Sequence, residues 1–171
     1  MNKVFALLAL LMFSCLSLMA QVPKELPAFA KMVNLKDGTP FSSDSLRTEG
    51  PNVLVLYDPG CGHCQELGSE IAAALGNVDK KIHFYFIALQ GNPEVEGYIN
   101  MFAKGLKNNP QVHFIHDPEG QFILSFNPSN FPFTYIYDGK TKQKLQHFNG
   151  ESKFKKLAPF LEVKEPAVRP L

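Results

Sequence analysis

The chain has 171 residues, 45% hydrophobic and 12% aromatic, with 17 Lys plus Arg against 16 Asp plus Glu and a formal net charge of +1. That length and apolar content supply one core of ordinary size, so one domain with short extensions is expected. The balanced charge and the absence of a long basic block exclude nucleic acid and an anionic membrane surface as expected partners.

Residues 1–20 differ in composition from the rest. Met1-Asn2-Lys3 is a short positive start, Val4 to Leu18 is an almost unbroken apolar run, and Leu18-Met19-Ala20 places a small residue before a cut. A secretory signal peptide over 1–20 is expected, and with it export to the periplasm or cell envelope. Retention as an anchor and lipidation at Cys15 stay open; Ser14 precedes that cysteine, but bulky Phe13 stands where such a site takes a small residue. Cleavage after Ala20 removes one of the three cysteines and leaves Cys61 and Cys64. Two thiols in one short motif make no disulfide framework, so they are expected to be kept for chemistry.

Gln21 to Thr48 reads as a lead-in. Phe29 to Leu35 and Phe41 are expected to pair as a hairpin around Asp37-Gly38, and Ser42 to Leu46 to form one helical turn capped by Ser43 or Asp44. Gly50-Pro51 then breaks the chain. The run Val53 to Tyr57 is apolar on consecutive positions, as in a strand buried on both faces.

A sharp connector, Asp58-Pro59-Gly60, leads to Cys61-Gly62-His63-Cys64 and a helix over Gln65 to Leu75. Leu67, Ile71 and Leu75 form the stripe that packs on the sheet, with Glu66, Ser69 and Glu70 facing outward. Ile82 to Leu89 follows as a second strand, so a parallel βαβ unit is predicted. Between Gln90 and Gln111, Val95, Ile99, Phe102, Ala103 and Leu106 fall at helical spacing, opened by Gly91-Asn92-Pro93 and stopped by Asn108-Asn109-Pro110.

Val112 to Ile115 reads as a strand, Asp117 to Gly120 as a turn, and Phe122 to Phe126 as a short helix before the Pro-containing stretch Asn127 to Pro132. Phe133 to Tyr137 and Leu145 to Phe148, separated by Asp138-Gly139-Lys140-Thr141, make an antiparallel hairpin. Glu151 to Leu161, with Phe154, Leu157 and Leu161 on one side, is a terminal helix, and 163–171 is a tail.

The chemistry sits in the cysteine motif. Two cysteines separated by two residues at a helix start can close a disulfide, and the first faces unpaired backbone N–H groups and the positive end of the helix dipole. A free thiol near pKa ~8.5 is mostly protonated at neutral pH, and a shift of about two units makes the thiolate the major form. Cys61 is therefore the expected nucleophile. Cys64, one turn in and more buried, would resolve a mixed disulfide, and His63 would stabilise the thiolate and make the pair more oxidising.

This order of elements resembles the thioredoxin superfamily over roughly residues 26–162, and more narrowly its exported TlpA-like, redoxin branch of thiol-disulfide oxidoreductases. The motifs are Cys61-Gly62-His63-Cys64 and Phe131-Pro132-Phe133-Thr134. The resemblance implies an α/β thioredoxin-like fold over 21–162, a central mixed sheet flanked by helices with a β lead-in and a helical insertion at about 90–111. It also implies a cis-proline at Pro132 beside the site, with Phe131 presenting backbone groups to a substrate, where the residues alone read only a turn. Protein disulfides or thiols are the implied substrates and a membrane thiol-transfer protein the implied partner; no cofactor and no metal are called for.

Some positions depart from that pattern. Gly60 stands where a tryptophan commonly precedes the first cysteine, and Val55 where thioredoxins place a buried acid. The Gly62-His63 dipeptide is similar to that of protein disulfide isomerase, which leaves the direction of exchange open. Two other functions on the same fold remain. Copper handling would use Cys61, His63 and Cys64 with His113 or His116, although relatives of that kind space the cysteines by three residues. A peroxiredoxin-like peroxidase needs a threonine three positions before its cysteine, where Asp58 stands. A zinc site lacks a second ligand pair. His83, His113, His116 and His147 read as ordinary structural histidines.

Overall fold

The computed structural model describes residues 22–161. The expected signal peptide with Cys15, and the expected tail, lie outside the described residues.

Seven strands form a single mixed sheet in the order β2-β1-β5-β4-β3-β6-β7. The interior strand β3 (Pro51–Leu56) runs parallel to β4 (His83–Ala88), the middle strand, itself parallel to β5 (Val112–His116). On the other side of β3, β6 (Phe133–Asp138) and β7 (Lys144–Asn149) are antiparallel. Val53 to Leu56 are fully buried because helices or loops cover both faces, which is why this strand is apolar without alternation.

The lead-in extends the sheet. The hairpin strands are shorter than expected, β1 (Met32–Asn34) and β2 (Pro40–Phe41), with Met32 opposite Phe41; β1 then lies antiparallel to β5. The helical turn Ser43–Ser45 is capped by Ser42, not Ser43 or Asp44: the Ser42 hydroxyl accepts from the Asp44 N–H, and the Ser45 hydroxyl accepts from the Ser42 N–H.

Helix α1 (Gly62–Ala74) packs one face of the sheet with Cys64, Leu67 and Ile71. The same core takes in Val95, Tyr98 and Ile99 of α2 (Asn92–Phe102) and Phe154 and Leu157 of α4 (Phe154–Leu157). The opposite core gathers Leu54, Leu56, Tyr85 and Tyr135 with the lead-in and α3 (Gln121–Phe126). Sequence alternation along β3 divides the two: Val53 and Val55 point to α1, Leu54 and Leu56 away from it.

Two expectations change at the C-terminal end. The terminal helix is one short α segment followed by a 3-10 turn, Ala158–Phe160, which begins where Pro159 removes a backbone donor. Glu66 and Glu70 do not simply face water. Glu66 accepts from the Ser152 hydroxyl (2.5 Å) and pairs with Lys153, and Glu70 accepts the Phe154 N–H (2.7 Å). These carboxylates tie the chain at the start of α4 to α1.

Candidate active site

The site begins where β3 ends. Tyr57 N–H still donates to Ile87 O (3.0 Å), so the chain is held to the sheet up to that residue. The connector then turns on the carboxylate of Asp58, whose Oδ1 accepts the Gly60 N–H (2.7 Å) and whose Oδ2 accepts from Gln90 (3.0 Å). Cys61 N–H donates back to Asp58 O (3.0 Å). The result delivers Cys61 to the N-cap of α1, whose first residue, Gly62, lies three positions before the expected helix start at Gln65.

Both cysteines are free, Cys61 half-buried and Cys64 buried. Burial pushes the Cys64 thiol well up from its ordinary range; a backbone hydrogen bond at Asp58 opposes this, and the neighbouring Cys61 side chain adds to it. Gly62 and His63 are exposed on the first turn. His63 lies close enough to Glu66 for its charge to favour that carboxylate, after the larger effects of Lys153 and Ser152.

Across the loop, the Phe131–Pro132 peptide bond is cis, and Cys61 Sγ lies 4.0 Å from Phe131 O. Phe131 is 37% exposed. Cys61, Cys64, Phe131 and Pro132 are thus brought together, with Gly62 and His63 at the edge. A groove of about 400 Å³ opens beside Gly60, lined by Pro59 and by Glu94, Met101 and Phe102 of α2. Met101 is 69% exposed.

The histidines of the copper alternative are not assembled with the cysteines. His113 stacks on Tyr85, 4.7 Å between ring centroids, and Tyr85 belongs to the core opposite the one that holds Cys64. His116 Nε2 is engaged with Leu89 O (3.1 Å). His113 is a satisfied structural histidine, as expected: its Nε2 lies 3.1 Å from His83 Nδ1 in a paired hydrogen bond. No group of three or more His, Cys, Asp or Glu placed to hold a metal occurs among the described residues.

Sequence reading missed the layer beneath Cys64. Val55, at the position of the thioredoxin acid, is fully buried on the α1 side, opposite Thr134 in the sheet. Around it stand hydroxyls: Tyr98 donates to Cys64 O (3.1 Å), while Tyr57 Oη and Thr134 Oγ1 are buried without a hydrogen-bond partner. The one sequence signal was Gly68 in the middle of a helix, which points to close packing there. A Cβ at Gly68 would lie 1.9 Å from Tyr98 Oη.

No protein-family model matches the chain, and no curated protein sequence matches it. Solved structures do. DsbF of Mycobacterium tuberculosis superposes with a TM-score of 0.64 at 20% identity, covering 82% of this chain and 96% of its own. A secreted disulfide oxidoreductase of M. tuberculosis, homologous to DsbE of Escherichia coli, gives 0.57 at 21% identity over 77% of this chain and 92% of its own. The thioredoxin domain of a thiol-disulfide oxidoreductase from Bacteroides vulgatus gives 0.62 at 14% identity, covering 83% and 99%. Mixed sheet, helix-borne cysteine pair and cis-proline loop agree with that likeness, and the chain is thioredoxin-like in fold.

Proposed function

We propose that the chain is an exported thiol-disulfide oxidoreductase that exchanges disulfides with protein substrates through Cys61 and Cys64. The observation that carries this reading is the placing of two free thiols at one helix start, Cys61 half exposed with its Sγ 4.0 Å from Phe131 O and Cys64 buried behind it. In the reducing direction the Cys61 thiolate attacks a substrate disulfide; one substrate sulfur leaves as thiolate and takes a proton. Cys64 then attacks Cys61 Sγ, releases the second substrate thiol, and closes the Cys61–Cys64 disulfide. The pair gives up the two electrons the substrate gains, and the oxidising direction is the same sequence reversed.

The surroundings favour a protein as substrate. Phe131 and Pro132 offer a stretch of backbone beside the thiol, against which an extended segment can lie. Exposed Met101, which lines the groove, and exposed Phe131 offer apolar contact to such a segment. His63, exposed beside the pair, and Gly62, which adds no side chain of its own, are the tuning positions: a partial positive charge there stabilises the reduced form and raises the potential.

Export is supported by the signal-like residues 1–20 and by the secreted character of one structural neighbour. In that compartment a membrane thiol-transfer protein would reset the pair between turnovers. The test is trapping. A Cys64→Ser chain mixed with a disulfide-bonded protein should accumulate a mixed disulfide that reductant releases, and a Cys61→Ser chain should not. Absence of the adduct with Cys64→Ser would end this reading. Titration of the wild-type pair against glutathione then assigns direction, a value near about −180 mV pointing to oxidation or isomerisation and one near about −270 mV to reduction.

A further inference from the structure

Burial opposes ionisation of Cys64, yet resolution of a mixed disulfide needs its thiolate. Thioredoxin-like chains with a buried acid have a group to handle that proton, whereas Val55 here has none. The space beneath Cys64 is instead held by two tyrosines whose rings pack 4.8 Å apart, Tyr57 and Tyr98. Phe86 meets the Tyr57 ring edge-on at 5.6 Å, so that ring is fixed from two sides. Tyr98 has spent its hydroxyl on Cys64 O. Tyr57, only 1% exposed, has not: its Oη is buried with no partner.

An orphaned buried hydroxyl costs roughly 1–3 kcal/mol, and a native fold that keeps one calls for an explanation. We propose that Tyr57 is a further catalytic residue of the exchange, its O–H donating a hydrogen bond to Cys64 Sγ as the thiolate forms. The hydroxyl is unpaired while Cys64 is a neutral thiol and paired when the sulfur becomes an anion. Interactions made only along the reaction path accelerate it. Tyr57 and Cys64 belong to the same buried cluster, and Cys64 adds, after burial and Tyr98, to what keeps the Tyr57 hydroxyl protonated.

The step balances without a new reagent. Cys64 loses its proton, its sulfur attacks Cys61 Sγ, and the bond from Cys61 to the substrate sulfur breaks. The substrate sulfur leaves with the electron pair of that bond and takes up a proton, so none is gained or lost overall. Tyr57 keeps its own proton throughout and returns to the unpaired state once the Cys61–Cys64 disulfide has closed.

This inference rests on the exchange reading above, and the experiment separates the two. Wild type and Tyr57→Phe are loaded at Cys61 with thionitrobenzoate, and release of the dye by Cys64 is followed against pH, with the urea unfolding midpoint measured alongside. A charge-assisted hydrogen bond lost only on the reaction path slows release by roughly tenfold or more and moves the rise in rate to higher pH. The midpoint stays equal or rises, because the substitution deletes only an unpaired hydroxyl. Release at the wild-type rate with the same pH profile overturns the proposal. A lowered midpoint also overturns it, since Tyr57 would then have a partner in the resting fold. A wild-type chain that takes up the dye but never releases it ends the exchange reading itself.

Discussion

At the scale of single residues the site depends on Asp58. Its two oxygens satisfy the Gly60 N–H and the Gln90 amide, and its own carbonyl accepts the Cys61 N–H. The connector that presents Cys61 is thus organised by one side chain. Asp58→Ala leaves both donors without their acceptor and should cost about 1–3 kcal/mol, read as a fall in the urea midpoint. Exchange should slow with it, because Cys61 loses the fixed position from which it meets a substrate. Asp58→Asn keeps one acceptor oxygen and should fall between the two. Wild-type stability and rate in Asp58→Ala would assign the shape of the connector to Pro59 alone.

At the scale of elements, α2 is joined to α1 through an absent side chain. A Cβ at Gly68 would lie 1.9 Å from Tyr98 Oη and 2.8 Å from Cζ, so only glycine lets Tyr98 reach Cys64 O. Gly68→Ala should therefore displace Tyr98 and cost about 1–3 kcal/mol through overpacking. Tyr98→Phe should cost about 1 kcal/mol for the lost hydrogen bond. The double variant should lose less than the sum, with a coupling of about 1 kcal/mol, because removing the hydroxyl relieves the worst contact. Strict additivity in unfolding measurements would mean that Gly68 serves something other than Tyr98.

That contact also marks how far sequence reading reaches. The strand-motif-helix-strand unit was legible because its signals are local: four consecutive buried apolar residues in β3, then a stripe at Leu67, Ile71 and Leu75. The Cys61 and Cys64 pair followed from the motif, whereas the cis bond before Pro132 followed from the family resemblance, the residues alone reading a turn. Glu66 and Glu70 were read as an outer face because Ser152, Lys153 and Phe154, which they hold, come more than 80 residues later. His83 and His113 became a pair only through the β4–β5 register. Tyr57 was visible as core, but whether its hydroxyl is satisfied is a property of three-dimensional packing.

At the scale of the whole molecule, that histidine pair should set part of the response to acid. The Nδ1 to Nε2 bond needs one ring to donate and the other to accept, so both cannot be charged. Burial first, then the charges of His83, Arg47 and Lys36, hold His113 down from 6.5 to about 4; burial and Arg47 also lower His83. These groups and the stacked Tyr85 ring supply no negative charge. A histidine whose folded pKa is depressed contributes stability that is complete above its unfolded pKa. Protons bind the unfolded chain first, so that contribution is lost as pH falls from 6.5 through about 4. Both rings are partly exposed, and after allowance for solvent screening the loss should be about 1–2 kcal/mol. Glu66 and Asp138, whose folded pKa values are also lowered, lose stability in the same direction, so a bare acid profile does not isolate the pair. His113→Phe does, because the ring can keep its place on Tyr85 while the titrating group is gone. Between pH 7 and pH 4.5 the urea midpoint of the wild type should fall further than that of His113→Phe. Parallel declines would place the acid sensitivity in the carboxylates and leave the two histidines with packing alone.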